Sequence, residues 1–177
     1  MTVAEALPVR EAGEPADGEI AVRVRGLVNK FGSKTVHEGL DLDMRKGEVL
    51  GVVGGSGTGK SVLLRSIVGL HTPNAGEIEV FGQKLDKLSR AERIKVERRW
   101  GVMFQDGALF STMSVRENVM APMIEHTKIP ALLMRELADL KIRLAGLELE
   151  AASKRPSDLS GGMRKRAALA RALALDP

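Results

Sequence analysis

Gly54-Gly55-Ser56-Gly57-Thr58-Gly59-Lys60-Ser61 is the stretch whose reading decides the fold. It satisfies G-x-x-x-x-G-K-[ST], the phosphate-binding P-loop, and its flanks suit the motif. Glu48-Val49-Leu50-Gly51-Val52-Val53 precedes it, an apolar run short enough for a buried parallel strand. Ser61 to Leu70 follows with a helical pattern. Glycines let successive N–H groups curl inward onto a phosphate chain. The next helix turns its unpaired N–H groups and positive dipole end toward the same anion. Lys60 then supplies a point charge for the β- and γ-phosphates, and the Ser61 hydroxyl a ligand for Mg²⁺.

The bulk numbers bound what surrounds this loop. A chain of 177 residues, 44% of them hydrophobic, makes one domain or a domain with a subdomain. It has no cysteine, which excludes disulfides and thiolate metal sites. No apolar run approaches the ~20 residues that span a bilayer. The N-terminus is acidic without an apolar stretch, so no signal peptide is expected, and any membrane role is expected to run through a partner. Residues 1–19 hold Arg10 against Glu5, Glu11, Glu14, Asp17 and Glu19, a net −4, which leaves +8 on the rest of a chain of net charge +4. A basic body can signal nucleic acid. Aromatics at 3%, with no tyrosine and one tryptophan, argue against a base-stacking surface, so no nucleic-acid partner is expected.

Taken in order, residues 1–19 have no periodicity and read as a disordered leader. Ile20–Arg25 and Leu40–Arg45 alternate as antiparallel-type strands, with a turn at Phe31-Gly32-Ser33-Lys34 between them. Glu77–Gly82 is a further short strand. Ser89–Arg99 is a charged helix, Ser89 capping it and Glu92 three residues on; residues 84–99 carry seven Lys/Arg against three Asp/Glu, the pattern of a solvated face. Trp100–Phe104 is a second buried-type strand, and Gln105 leaves its C-terminal end, where ligands of open α/β sheets sit. Ser114–Glu125 reads as a helix disturbed by Pro122. Ala131–Ala145 follows as a clearer one, with Leu133, Leu137, Leu140 and Leu144 on one face. The two suggest a helical subdomain inserted at about 106–165. Leu159-Ser160-Gly161-Gly162-Met163 opens a last helix with Ser160 as N-cap, a second potential phosphate site.

The P-loop, a glutamine leaving a strand and a Leu-Ser-Gly-Gly helix start, in that order, resemble the ATP-binding subunit of ABC transporters over roughly residue 20 to the end. The resemblance implies an α/β P-loop NTPase core of ABC type, with N-terminal antiparallel strands and an inserted helical subdomain over 20–177. It implies Gly54–Ser61 as the Walker A loop and Gln105 as the Q-loop glutamine, which shares Mg²⁺ with Ser61 and catalysis with Lys60. Leu159, Ser160, Gly161, Gly162 and Met163 become the signature that acts in trans, and Phe31 the aromatic that stacks on adenine. Members pair head-to-tail and sandwich two ATP molecules. The runs Phe104–Ser111 and Ser160–Arg166 are most similar to the ATPase of Mla/Mce-type phospholipid transporters; Met163 departs from the glutamine of the general signature but suits that group. The implied partners are a second ATP-binding subunit, an integral membrane permease, a small regulatory subunit and an Mce-type lipid-binding protein, with the ATPase peripheral on the cytoplasmic face of the inner membrane. Permease docking is expected at Leu109, Phe110, Met113, Val115, Val119, Met120 and Met123.

The Walker B carboxylates and the switch histidine of the family have no counterpart up to Pro177, and His37, His71 and His126 all precede the signature. The chain is thus expected to be a fragment that does not hydrolyse ATP by itself. Three other functions stay open: an ABC ATPase for another solute, one serving a cell-division complex, and a non-hydrolysing nucleotide-binding regulator.

Overall fold

A computed structural model describes residues 18–177, in two compact units that meet in sequence between Val96 and Glu97. The leader expected over residues 1–19 lies outside the described residues, apart from Gly18 and Glu19. The Glu19 carbonyl already accepts from the Lys46 N–H at 2.9 Å.

The first unit is built on an antiparallel sheet of order β2-β1-β3-β4, from β1 (Ile20–Phe31), β2 (Lys34–Arg45), β3 (Ala75–Val80) and β4 (Gln83–Lys84). The two long strands extend well past the expected alternating runs. The two-residue turn at Gly32-Ser33 has Gly32 at φ 59°, which lets pairing continue to Phe31 opposite Lys34. A bulge then preserves the buried face. Val22 and Val24 are buried, then Leu27 and Asn29, a change of parity that would turn a regular strand inside out. The register shifts between Val24 and Leu27, where Gly26 takes φ 58° and donates its N–H to Asp41 Oδ1 at 2.6 Å. Across the ladder, Val24 faces Ile78 and Val22 faces Val80, which gives the sheet its apolar layer. Two helices complete the unit, α1 (Lys60–Ile67) and α2 (Arg90–Glu97). Ser89 and Glu92 cap α2 reciprocally, the Ser89 N–H reaching the Glu92 carboxylate at 2.9 Å.

The second unit packs α3 (Val115–His126), α4 (Ala131–Leu144) and α5 (Gly161–Ala172) around one core of Val119, Met123, Ala138, Ile142, Ala167 and their neighbours. Ser114 and Glu117 form a complete capping box at the start of α3, and the serine hydrogen bonds hold the Glu117 carboxyl below its ordinary value. Pro122 does not end α3, which runs through it. Arg116 forks onto Asp139 (Nε to Oδ1 2.5 Å, Nη2 to Oδ2 3.1 Å) and ties α3 to α4.

Three expectations are corrected. Neither Glu48–Val53 nor Trp100–Phe104 forms a strand, and neither is buried as a run. Val49 is 89% exposed and Val53 55%. A β-ladder is made by a neighbour, and among the described residues no strand pairs with either segment. Secondly, the leucine face of α4 is mostly exposed: Leu133, Leu140 and Leu144 face solvent and only Leu137 packs partly against the core, whereas Met134, Ala138, Lys141 and Ile142 are buried. Both stripes have helical spacing, and the one with small Ala138 lets α4 approach the alanines of α5 closely. Lys141 reaches Asp176 from that face. Thirdly, the expected docking set divides. Val115, Val119 and Met123 are core residues, Leu109 and Met120 are half-buried against that core, and Phe110 and Met113 are exposed.

Asn118 fastens the loop before α3. Fully buried, it accepts from the Phe110 N–H at 2.7 Å and donates to the carbonyls of Phe110, Met113 and Ser114 at 3.1, 3.2 and 2.9 Å. Replacing it strands several of these groups. Asn118→Ala is expected to cost about 2–3 kcal/mol, read as a lower urea midpoint with an unchanged slope.

Candidate functional site

The loop at 54–59 curls through glycines at positive φ: Gly54 at 156°, Gly57 at 80° and Gly59 at 99°. Thr58 Oγ1 donates to the Gly55 carbonyl at 2.9 Å and closes the turn. Lys60 folds back over the loop, its Nζ donating to the Gly54 and Gly55 carbonyls at 2.8 and 2.6 Å. Gly59 is the N-cap of α1, and no side chain caps the helix. The first-turn N–H groups thus lack a side-chain partner, and no carboxylate stands in that turn. Ser61 is exposed beside them. Such a start suits an anion by both dipole and donors.

The loop rests on a buried polar group that the sequence does not advertise. A Cβ on Gly59 would lie 2.4 Å from Val36 Cγ1 and 2.6 Å from His37 Nε2. Asn29 Nδ2 donates to His37 Nδ1 at 3.0 Å and to Ser66 Oγ at 3.2 Å. Ser66 Oγ donates to the Val62 carbonyl at 2.9 Å. An amide donor on Nδ1 places the imidazole proton on Nε2. All three side chains are buried, so β1, β2 and α1 are pinned together below the loop.

Phe31, at the end of β1, is 48% exposed and stacks on His71, ring centroids 5.1 Å apart and interplanar angle 22°.

In the second unit, Gln105 is exposed in the turn that the Gly107 N–H closes onto the Phe104 carbonyl at 2.9 Å. Arg171 of α5 holds this turn, donating to the carbonyls of Gly107 at 2.8 Å and Ala108 at 2.7 Å. Burial lowers its pKa from the ordinary guanidinium value. Ser160 is the N-cap of α5, its Oγ accepting from the Met163 N–H at 3.3 Å. Gly161 and Gly162 are exposed, Leu159 is buried, and Met163 packs against the core. Gly54–Ser61 and Phe31 thus belong to one unit, Gln105 and Leu159–Met163 to the other. His37, His71 and Arg171 have no place at the site in the sequence alone, because their partners lie farther along the chain, at Asn29, Phe31 and Gly107. Asn118 bonds within its own neighbourhood, but a lone asparagine in a helix carries no mark of that.

No group of three or more His, Asp or Glu among the described residues is arranged to hold a metal ion. Ser61, exposed at the start of α1, carries a hydroxyl oxygen of the kind Mg²⁺ takes, and Mg²⁺ asks for only one or two protein oxygens. No helix of the described residues is long and apolar enough to cross a membrane.

The family model for "ABC transporter" matches residues 37–177. The chain belongs to the ABC transporter family. It is 44% identical over 156 residues to the intermembrane phospholipid transport system ATP-binding protein MlaF of Haemophilus influenzae, covering 88% of this chain and 59% of that protein. It is equally 44% identical, over 158 residues, to the probable ribonucleotide transport ATP-binding protein mkl of Mycobacterium leprae, covering 89% of this chain and 45% of that one. Among solved structures, the dimeric post-hydrolysis state of the ATP-binding cassette MJ0796 bound to ADP and Pi superposes with a TM-score of 0.79 at 31% identity, over 88% of this chain and 70% of that one. The chain therefore spans about half to three-fifths of the length of these curated relatives.

The buried histidine makes a pH prediction. Burial lowers the His37 pKa, so in the acid range the unfolded chain binds a proton that the folded chain resists. The stabilisation is present above the unfolded value of about 6.5 and declines as the pH falls below it. His37→Asn, which keeps an acceptor near Nδ1, should flatten the decline in melting temperature between about pH 7.5 and pH 5.

Proposed function

We propose that this chain is the ATP-binding part of an ABC transporter that powers phospholipid transport across the cell envelope, by binding and hydrolysing Mg-ATP in a head-to-tail dimer. The observation that carries nucleotide binding is the uncapped start of α1 behind a loop whose Lys60 rests on neutral oxygens, the Gly54 and Gly55 carbonyls and the Thr58 hydroxyl. Phosphate oxygens are stronger partners for an ammonium than peptide carbonyls. Lys60 would leave Gly54 and Gly55 for the β- and γ-phosphates, while the N–H groups of the loop and the first turn take the remaining oxygens. Ser61 would give its hydroxyl to Mg²⁺, which neutralises phosphate charge when bound, and Phe31 would stack on adenine. Gln105 would join the metal and the attacking water, and Leu159–Met163 would serve the nucleotide of the other subunit.

The cargo is inferred from the relatives' names and from the Mla/Mce-like runs around Gln105 and Ser160. A ribonucleotide cargo is the second reading, favoured by the mycobacterial relative at the same identity. The place of work follows from the cargo, on the cytoplasmic face of the inner membrane beneath a permease, a small regulatory subunit and an Mce-type protein. Proteoliposomes carrying the permease separate the two readings: ATP-dependent movement of labelled phospholipid supports the first, and movement of labelled ribonucleotide alone refutes it.

Lys60→Ala should weaken Mg-ATP binding at least about tenfold, or about 1.4 kcal/mol, in a calorimetric titration; equal affinities would remove the P-loop from the account.

Docking on the permease is assigned to the exposed pair Phe110 and Met113, whose loop is held by Asn118 and whose neighbouring carbonyls are held by Arg171. Exposed Phe and Met suit an adaptable grip on a helix. Phe110→Asp with Met113→Asp is expected to abolish permease pull-down while ATP affinity stays within about twofold of wild type; retained pull-down would place docking elsewhere.

A further inference from the structure

We propose that His71 is a positioning residue of the base-binding site: its imidazole backs the Phe31 ring, so that one face of Phe31 is held and the other is offered to the nucleobase. The inference rests on the reading of Phe31 as the base-stacking aromatic. An exposed phenylalanine at a hairpin tip has two χ angles free, and a base that stacks on it must first order it. Here the ring is already ordered by the near-parallel His71 ring, at 5.1 Å and 22°.

The backing ring is itself fixed from two sides. The His71 N–H donates to the Arg65 carbonyl at 3.1 Å, beside the Leu70 N–H at 2.8 Å, which anchors the residue to the last turn of α1. Three residues on, the Asn74 N–H donates to the Val28 carbonyl at 2.8 Å, and Asn74 Oδ1 accepts from the Lys30 N–H at 2.6 Å. These bonds hold the 71–74 loop against the end of β1 that carries Phe31. The P-loop helix and the aromatic are therefore joined through His71, which sets the distance between the phosphate end and the base end of one ligand.

The imidazole is not there for its hydrogen bonds. His71 Nε2 is buried and has no partner among the described residues. A buried ring nitrogen without a partner is a cost that an aliphatic side chain would avoid. What only a flat ring supplies at this position is the stack on Phe31.

Calorimetric titration with Mg-ATP and with Mg-tripolyphosphate, which has no base, separates the roles. His71→Leu fills the space without a ring and should lower ATP affinity about three- to tenfold, with tripolyphosphate affinity unchanged. His71→Phe restores the ring, removes the stranded nitrogen and should return ATP affinity to within about twofold of wild type. Phe31→Ala should lower ATP affinity about tenfold or more and leave tripolyphosphate alone. If Phe31→Ala weakens ATP and His71→Leu does not, the base reading stands and the backing role of His71 falls. Unchanged ATP affinity in Phe31→Ala overturns both. Equal losses for ATP and tripolyphosphate in His71→Leu would mean general damage to the site and overturn the inference.

Discussion

There is no room for a side chain at Gly59. Its backbone stands at φ 99°, and a Cβ there would run into Val36 and the His37 ring. The place of the loop against β2 depends on that close approach. With the glycine in place, the loop lies directly on β2, and α1 begins at Lys60. The Asn29–His37–Ser66 group below then fixes the helix to both long strands. It does so with neutral partners, so no buried charge competes with an incoming anion from beneath.

In the second unit the corresponding constraint is the grip of Arg171 and Asn118 on the segment after Gln105. Arg171 belongs to the helix that Ser160 opens, and it donates to two carbonyls just past Gln105. Asn118, on α3, takes both backbone groups of Phe110. The segment is loop by shape, yet it is bonded to two helices of one core. Arg171 thereby ties α5 to the residues just past Gln105, and Asn118 ties α3 to Phe110.

What was legible in the sequence follows the range of the interactions. The P-loop, the capping serines and the turn at Gly32-Ser33 are set by neighbours a few residues away, and the residue types announce them. Glu48–Val53 and Trp100–Phe104 were misjudged because an apolar run states only that a strand would be tolerated, while a ladder needs a second strand. On α4, two stripes of helical spacing compete, and the one holding Met134, Ala138 and Ile142 is buried in the shared core with the alanines of α5. The roles of His37, His71 and Arg171 were hidden because their partners lie 8 to 64 residues away along the chain. A lone histidine or arginine in a sequence carries no mark of what it will meet.

The helix starts separate by how completely they are satisfied. Ser114 and Glu117 close the start of α3 reciprocally, and Ser89 with Glu92 does the same for α2. In both, a carboxylate three residues after the cap takes the N-cap N–H and sets a negative charge at the dipole end. The two starts assigned to phosphate lack that carboxylate. α1 has a glycine cap with no side chain, and α5 has Ser160, whose third residue on is Met163 rather than an acid. A glutamate at that position would compete with a phosphate for the same donors and repel it. Met163 instead buries part of its side chain in the core and leaves the donors of Gly161 and Gly162 exposed. Local capping thus separates the closed starts of α2 and α3 from those of α1, α4 and α5, none of which has an acid in its first turn; of these only α1 and α5 open on glycines, where the backbone is bare of side chains.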